Sequence, residues 1–302
     1  MKFKRGMVAF LTLALLLVAG CGGQDTPPPQ SGPAPDPGQA KPTVHIVYVE
    51  WVCATASTHV IADVLKNKMG YEVELTPVSA ALMFEALAQG QADFCTTAWL
   101  PLTHAAYMEK VGDKVDDVQT NATGAKIGLA VPSYVNISSV EELDQLKDSI
   151  DGEIIGIDPG AGIMGLTQQV IDDYGLNLIL MEGSDATMTA ALKNAIDQNK
   201  PIVITGWRPH WKFSRWDLKF LDEPKKIFGE DEDIHTIARL GLQADMPEVY
   251  ELLQNFAWSI DQLDEAIMMA NESGDSVKSA SEWVANNPDM VNQWLPEAYK
   301  AK

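Results

Sequence analysis

Between residues 43 and 205 the chain alternates between two spacings of hydrophobic residues. Apolar residues at every second position, or in a short continuous run, are typical of β-strands, whereas apolar residues three or four positions apart indicate one face of a helix. Strands are predicted at residues 43–49, 71–76, 92–96, 126–131, 153–157, 176–181 and 202–205. Helices are predicted between them, at residues 58–68, 80–88, 163–174 and 186–198. This alternation predicts βαβ units and a parallel sheet.

Capping signals place further helices. Ser138 and Glu141 form a capping-box pattern that predicts a short helix, and Ser259 with Gln262 forms a second one. After a predicted strand at residues 234–240 the pattern becomes helical to the carboxyl end of the chain. These terminal helices are expected to return to the first αβ unit.

Two αβ units joined by two crossing strands predict an α/β fold with two lobes, a clamshell that holds its ligand in the cleft between them. We expect lobe 1 to comprise residues 43–125 and 242–302, and lobe 2 to comprise residues 132–233. Hinge strands are expected near 126–131 and 234–241, where they would absorb the motion as the lobes close.

The amino-terminal residues have a different pattern. Lys2, Lys4 and Arg5 precede an apolar run over residues 7–19, and Cys21 follows small residues. This pattern is typical of a secretory signal, and the run is shorter than the roughly 20 residues that span a bilayer. The cysteine makes the segment resemble a bacterial lipobox, which implies a signal peptide over residues 1–20 and lipidation of Cys21. An ordinary signal peptide with a chance cysteine is the alternative.

Residues 22–42 are mostly Gly, Pro, Ala, Ser and Gln. Such a segment cannot bury enough apolar surface to offset the entropy of ordering it. Residues 21–42 are therefore predicted to be a disordered tether that begins at the lipidated cysteine. We expect an extracytoplasmic protein that contacts the membrane, at its outer face or in a periplasm, only through a lipid anchor.

The charge of the chain narrows its partners. It carries 42 Asp and Glu against 22 Lys and Arg, a formal net charge of −20. This charge argues against nucleic acid or an anionic membrane surface as a partner, and it would mildly attract a cationic or zwitterionic solute. High negative charge also favours solubility, which explains it equally well.

Few residues carry the patterns of catalysis or metal binding. The five histidines are scattered without ligand spacing, so no metal and no cofactor is expected. A secreted hydrolase is disfavoured because the chain has neither a Gly-x-Ser-x-Gly nor a His-Glu-x-x-His motif. Cys53 and Cys95 are the remaining cysteines. In an exported protein such a pair makes a disulfide plausible, and two free buried thiols are the alternative.

Three tryptophans follow predicted strands, at the sheet edge where ligands of open parallel sheets bind. They are Trp51, Trp99 and Trp207. A single Trp more often packs in a core, but three at equivalent positions are harder to attribute to packing. A quaternary ammonium has no N–H to donate, and aromatic ring faces attract its charge, each by about 0.5–2 kcal/mol. The three indoles are therefore predicted to form a cation cage that is complete only when the lobes close.

A glycine turn at residues 158–162 follows another predicted strand and precedes a helix. The start of that helix presents free N–H groups and the positive end of its dipole. A ligand carboxylate could accept hydrogen bonds from the amides near Gly162 and Ile163, although the turn could also be a mere tight connection. His104 could donate to the same carboxylate across the cleft. A lone histidine is more often a surface or capping residue.

Four segments together resemble the glycine betaine/proline betaine-binding proteins of ABC importers. They are Val-Glu-Trp at 49–51, Trp-Leu-Pro-Leu-Thr-His at 99–104, Ile-Gly-Ile-Asp-Pro-Gly-Ala-Gly-Ile-Met at 155–164, and Ile-Thr-Gly-Trp-Arg-Pro-His-Trp at 204–211. The resemblance covers residues 43–300, and the last two segments are its most specific motifs. Relatives differ in which half of the domain comes first. Cys53 is a departure that leaves the local loop geometry open.

The resemblance implies a periplasmic-binding-protein-like clamshell of type II without catalytic activity. It implies a cation cage of Trp51, Trp99 and Trp207 and carboxylate contacts from Gly162, Ile163 and His104. It also implies a monomer that binds a small zwitterionic quaternary ammonium and docks on an ABC permease subunit with its ATPase. Glycine betaine is the expected ligand, and choline, carnitine, proline betaine or a sulfonium compound are the alternatives. A sensory ectodomain would need a downstream membrane segment, which the sequence lacks.

Overall fold

The computed structural model describes residues 41–300. The expected signal peptide, the lipidation site Cys21 and nearly all of the expected tether lie outside the described residues. Within residues 41–300, no helix is both long enough and apolar enough to cross a membrane.

Strands and helices alternate through the first two thirds of the described chain. The strands are β1 Val44–Tyr48, β2 Val73–Pro77, β3 Phe94–Leu100, β4 Val115–Pro132, β5 Glu153–Ile155, β6 Ile179–Met181, β7 Ile204–Arg208, β8 Leu218–Phe220 and β9 Glu232–Arg239. The helices are α1 Val52–Asp63, α2 Ala80–Ala88, α3 Ala105–Val111, α4 Gly162–Tyr174, α5 Asp185–Asp197, α6 Trp211–Arg215, α7 Leu242–Asp245, α8 Pro247–Asn255, α9 Ile260–Ser273, α10 Ser276–Asn286 and α11 Pro288–Trp294. A π-helical turn over Val64–Lys68 extends α1, and a 3₁₀ helix covers Val140–Ser149.

One long strand joins two halves of the sheet. β4 has 18 residues, and its positions from Val115 to Ala125 pair with β9, whereas those from Lys126 onward pair with β7 and β8. The strand order is β2-β1-β3-β9-β4-β7-β5-β6. We call β2, β1, β3, β9 and the start of β4 the first half-sheet, and the end of β4 with β7, β8, β5 and β6 the second half-sheet. Helices pack on both, so the fold is the predicted two-lobed α/β clamshell.

The sheet is mixed rather than parallel throughout. β1 pairs with β2 and β3 in parallel, and β5 does so with β6 and β7, as the alternating pattern predicts. β9 runs antiparallel to β3 and β4, and β4 runs antiparallel to β7. All of these antiparallel pairs involve β4 or β9, the two strands next to the crossings between the half-sheets. Each of them runs in the direction opposite to its neighbours. β9 covers most of the expected hinge segment 234–241, and its pairing partners lie in the first half-sheet.

Some element boundaries differ from those predicted. α1 begins at Val52 rather than at residue 58. The predicted start is late because most residues of the first turns are small and show no apolar periodicity, although they are buried against neighbouring elements. The capping box before the 3₁₀ helix is formed by Ser139 and Glu142, one residue later than predicted. The box of Ser259 and Gln262 at α9 is confirmed.

The carboxyl-terminal helices return to α1, as the sequence predicts. Three tryptophans pack on one another here, Trp283 and Trp294 on helices and Trp258 in the loop between α8 and α9. The Trp258 and Trp283 rings lie 5.5 Å apart, and those of Trp283 and Trp294 lie 5.8 Å apart. All three are buried. These indoles stabilise the fold and lie outside the cavity described next.

Candidate ligand-binding site

The six residues expected to bind ligand line one cavity between the half-sheets. The cavity encloses about 340 Å³ of empty space, part of it open to solvent. Its wall is formed by Trp51, Cys53, Trp99, Thr103, His104, Ile127, Ile157, Ala161, Gly162, Ile163 and Trp207. The wall is largely aromatic and aliphatic, so it suits a weakly hydrated group better than a strongly hydrated one.

Trp51 follows β1 and is the last extended residue before α1 (φ −82°, ψ 144°). Its indole Nε1 donates a hydrogen bond of 3.0 Å to Oδ2 of Asp158. Its ring also stacks on that of His104, with centroids 5.8 Å apart and planes 12° apart. Trp51 is therefore held from both sides, and the Asp158 contact joins the first half-sheet to the glycine turn of the second.

Trp99 lies in β3, where the pairing with β9 has an irregularity between Cys95 and Ala98. Its backbone N–H donates to Nδ1 of His104 over 2.8 Å. The loop that follows is held by Glu232, whose Oε1 accepts the amides of Leu102 and Thr103, each at 2.8 Å. Glu232 is buried and marks the start of β9. Sequence reasoning missed Glu232 because its role depends on a pairing across the fold.

His104 is buried, and its tautomer follows from its contacts. Because Nδ1 accepts the Trp99 amide, the ring proton is on Nε2. Burial lowers the pKa of His104 to about 4, so the ring is neutral near pH 7. Nε2 has no hydrogen-bond partner among residues 41–300. The cavity wall thus contains a neutral N–H donor that is free to bind an acceptor.

Gly162 and Ile163 open α4, a helix of 13 residues. The first amides of a helix have no acceptor within it, and they carry the positive end of its dipole. Gly162 also needs to be glycine for space, because a Cβ there would lie 1.8 Å from the carbonyl oxygen of Thr103. The helix start therefore packs directly on the loop that carries His104.

Trp207 lies in β7, in register with Ile127 of β4, and is buried. Its Nε1 is also without a hydrogen-bond partner in the described part of the chain. Trp211 and Trp216 pack on each other, with ring centroids 5.4 Å apart, and do not line the cavity.

Among residues 41–300, three hydrogen bonds of the cavity region join the two sides of the cleft. Besides the Trp51–Asp158 bond, the amide of Val52 donates to Oδ2 of Asp185 over 3.2 Å. The Tyr107 hydroxyl donates to the carbonyl oxygen of Gly160 over 2.6 Å. With the close packing of Gly162 on Thr103, these bonds hold the clamshell closed.

Cys53 and Cys95 are both free and buried, so the structure contains no disulfide between them. It has instead the two buried thiols that the sequence left open as the alternative. The two thiols have different neighbours. Cys53 lines the cavity near Asp185, whereas Cys95 pairs with Ile237 within the first half-sheet. Burial raises the pKa of Cys53 to about 12 and that of Cys95 to about 11, so both are neutral thiols.

The fold and the cavity together define a solute-binding protein of the periplasmic-binding-protein type II class. Residues 42–286 match the family model described as the substrate-binding domain of ABC-type glycine betaine transport systems, and the chain belongs to this family.

Named relatives agree with this family. The chain is 46% identical over 152 residues to the glycine betaine/carnitine transport binding protein GbuC of Listeria monocytogenes. That match covers 49% of this chain and 51% of GbuC, so the chain spans about half the length of this curated relative.

Two solved structures are similar over most of the chain. One is the glycine betaine/L-proline-binding protein ProX of Borrelia burgdorferi, with a TM-score of 0.81 and 39% identity over 85% of this chain and 98% of that one. The other is lactococcal OpuAC, closed around glycine betaine, with a TM-score of 0.81 and 36% identity over 85% of this chain and 100% of that one.

Proposed function

We propose that this protein is an extracytoplasmic solute-binding lipoprotein that captures glycine betaine, or a closely related betaine, and delivers it to an ABC importer. The observation that carries the proposal is the composition of the cavity wall. Three buried indoles share one small apolar space with Nε2–H of His104, which has no partner within residues 41–300, and with the first amides of α4, which have no acceptor within the helix. A betaine has both a fully alkylated cation and a carboxylate, and each would find its partner there.

The cationic end of the ligand would lie among Trp51, Trp99 and Trp207. Its charge is spread over methyl groups, so it loses little hydration on entering the cavity, and each ring face would contribute about 0.5–2 kcal/mol. None of the three indoles is more than 7% exposed, so the attraction is only weakly screened by water.

The carboxylate would accept hydrogen bonds from Nε2–H of His104 and from the amides of Gly162 and Ile163. A neutral histidine is sufficient as a donor, and the helix dipole supplies the favourable potential. His104 lies beyond β3 of the first half-sheet, and the amides follow β5 of the second. One carboxylate would therefore bridge the two lobes.

Ligand capture would be coupled to closure. We propose one lobe that contains the first half-sheet, residues 43–125 with 232–302 in place of the expected 242–302, and a second lobe of residues 132–220 in place of the expected 132–233, with one hinge in β4 near residue 126. The pairing of β9 with the first half-sheet supports placing the second crossing between β8 and β9, at residues 221–231. The closed form would then dock, as a monomer, on a permease subunit with its ATPase.

Membrane attachment would come from a lipid on Cys21 after removal of residues 1–20. The protein would bind and release its ligand without a chemical reaction, because the ligand is transported and not converted. Wild-type protein that incorporates no labelled fatty acid in cells would contradict the anchor without affecting the ligand assignment.

Another onium solute is the second candidate. GbuC is named for carnitine as well as glycine betaine, and carnitine also combines a trimethylammonium group with a carboxylate. Choline fits the indoles but has no carboxylate for the N–H donors, so it is the weaker candidate.

Calorimetry with glycine betaine, carnitine, choline and proline tests the proposal. We expect the betaines to bind and proline, which keeps N–H groups, to bind much more weakly. Trp216→Ala is a matched control, because this tryptophan packs outside the cavity. A folded protein that binds no quaternary amine would refute the function.

A further inference from the structure

A lysine is buried behind one of the cage tryptophans. Lys212, in the short helix α6, has no solvent exposure. Its Nζ lies 3.6 Å from the centroid of the Trp207 ring. Lys212 does not line the cavity, whereas Trp207 does, so the indole separates the amine from the ligand space.

The amine is in an unusual position for a lysine. Nζ has no hydrogen-bond partner within residues 41–300, although lysine ammonium groups are almost never buried unpaired. Its stabilising contact is the face of the indole, which is the same π system that the ligand cation would use from the cavity side.

The charged and titratable groups around Lys212 come from α1, α5 and α9 and from the residues just before it in the chain. Asp264 of α9 faces Arg208 and the backbone of His210. Asp185 of α5 and Cys53 of α1 are its electrostatic neighbours, and His210 precedes it in the chain. Both oxygens of Asp185 are already engaged: Oδ1 with Nε2 of His210 at 2.9 Å, and Oδ2 with the amide of Val52. Arg208 lies on the ring of Phe213 instead, 4.6 Å from its centroid.

With neighbours in these protonation states, the amine of Lys212 changes its charge near neutral pH. Burial lowers the pKa of His210 to about 4, and Cys53 stays a neutral thiol. Burial raises the pKa of Asp185, but His210 and Lys212 outweigh this effect and hold it below its usual value. Burial lowers the pKa of Lys212 to about 7, with Asp185 opposing the shift.

We propose that Lys212 sets the affinity of the cavity for its cation: the charged amine behind Trp207 weakens the attraction of that ring for a quaternary ammonium, and the neutral amine restores it. This inference rests on the proposed function. Two cations on opposite sides of one indole compete for its π density and repel each other through a medium of low dielectric constant.

A reciprocal effect follows from linkage. If the proton on Lys212 weakens ligand binding, then the bound ligand must weaken proton binding by the same factor. Near neutral pH, ligand binding would therefore release a proton, and affinity would rise as the pH rises from about 6 to about 8.5. We expect a rise of about five- to tenfold over this range, set by the repulsion between two charges about 8 Å apart on opposite faces of the ring.

Calorimetry of glycine betaine binding to the full chain at several pH values, each in buffers of different ionisation enthalpy, measures affinity and proton release together. Lys212→Met keeps most of the length of the side chain and removes its charge. We expect it to bind more tightly than wild type at about pH 6 and to lose both the pH dependence and the proton release. Lys193→Met, at an exposed position of α5, is the control and should behave as wild type.

His104 faces the cavity and could also change its protonation, but with the opposite sign. A bound carboxylate would favour protonation of His104, so its contribution would be proton uptake at acidic pH. Proton release that disappears in Lys212→Met therefore belongs to Lys212.

The outcomes separate this inference from the function on which it rests. Wild-type affinity that is constant across the pH range, without proton release, would overturn the role of Lys212 and leave the function intact. So would a Lys212→Met variant that binds less tightly yet keeps the pH dependence. Should Lys212→Met fail to fold, proton release by the wild-type protein still decides. Absence of binding by any quaternary amine removes the proposed function and this inference with it.

Discussion

The indole Nε1 of Trp51 donates a 3.0 Å hydrogen bond to Oδ2 of Asp158, and this bond spans the cleft. Trp51 belongs to the first half of the molecule, and Asp158 belongs to the turn that leads into α4. One cage ring is thus fixed in place by a carboxylate from the opposite lobe. The position of that ring depends on closure, and closure in turn is stabilised by that ring.

Removal of this carboxylate should weaken ligand binding. Asp158→Ala leaves the buried indole N–H without its charged acceptor and takes one bond from the closed form, a loss of about 1–3 kcal/mol, or about 5- to 150-fold in affinity. Asp158→Asn keeps an acceptor but not its charge, so its affinity should lie between those of wild type and Asp158→Ala. The measurement is calorimetry with glycine betaine. Equal affinities in all three proteins would show that the bond contributes nothing to closure.

Loss of any one indole should reduce affinity without unfolding the protein. Trp51→Ala, Trp99→Ala and Trp207→Ala should each cost about 1–3 kcal/mol of binding free energy, because each removes a ring face from the cage. Circular dichroism checks the fold, and Trp216→Ala serves as the control. If all three variants bind as wild type does, these indoles do not form the ligand cage.

Replacement of Gly162 should prevent full closure. The added methyl of Gly162→Ala would lie 1.8 Å from the carbonyl oxygen of Thr103, so the lobes must stay apart and affinity should fall at least about tenfold. Gly165→Ala, in the same helix, is a matched control because its Cβ would meet no atom within 4 Å. That control should bind normally and gain slightly in stability, since alanine favours helix. Small-angle scattering with ligand would reveal a more open form of Gly162→Ala, and a compact form would contradict the expectation.

His104 should discriminate between ligands with and without a carboxylate. His104→Ala removes the Nε2–H donor, so glycine betaine should lose about tenfold or more in affinity, whereas choline should lose less. The ratio of the two affinities, measured by calorimetry, isolates the contribution of the carboxylate. Equal losses for both ligands would remove His104 from the anion site.

Stability should fall on mild acidification. The pKa of His104 is lowered by burial from 6.5 to about 4, so between these values the unfolded chain binds a proton that the folded protein does not. Unfolding is therefore favoured as the pH falls through this window, by about 3 kcal/mol at most for this histidine. Urea unfolding from about pH 7 to about pH 4 measures the slope. His104→Gln should show a shallower slope than wild type, and an unchanged slope would assign the effect to other groups.

The sequence predicts those site residues that lie at or near the ends of predicted strands. Trp51 and the glycine turn each follow a strand whose periodicity is visible. Trp99 and Trp207 are expected just after such strands and lie within their last residues instead. The family motifs identify the remaining members. The structure brings all six residues to one cavity, and their roles toward the ligand stay predictions.

Residues that act through long-range pairing could not be predicted in this way. Glu232 holds a loop 130 residues away in sequence, and the significance of Asp158 and Lys212 depends on which ring each contacts. The start of α1 at Val52 could not be predicted for a related reason. Its first side chains are small and are buried by packing against other elements, which leaves no apolar periodicity in the sequence. The antiparallel position of β9 likewise depends on the crossing between lobes.

Glu232 also connects the segment between the two half-sheets to the loop that carries His104. It is the first residue of β9, directly after the segment that returns from the second half-sheet, and its carboxylate holds the amides of Leu102 and Thr103 ahead of His104. If the lobes rotate about that segment, as proposed, the rotation would reach the loop through these two hydrogen bonds. Under the proposed closure, a substitution at Glu232 should therefore change the rate of ligand release as well as the affinity.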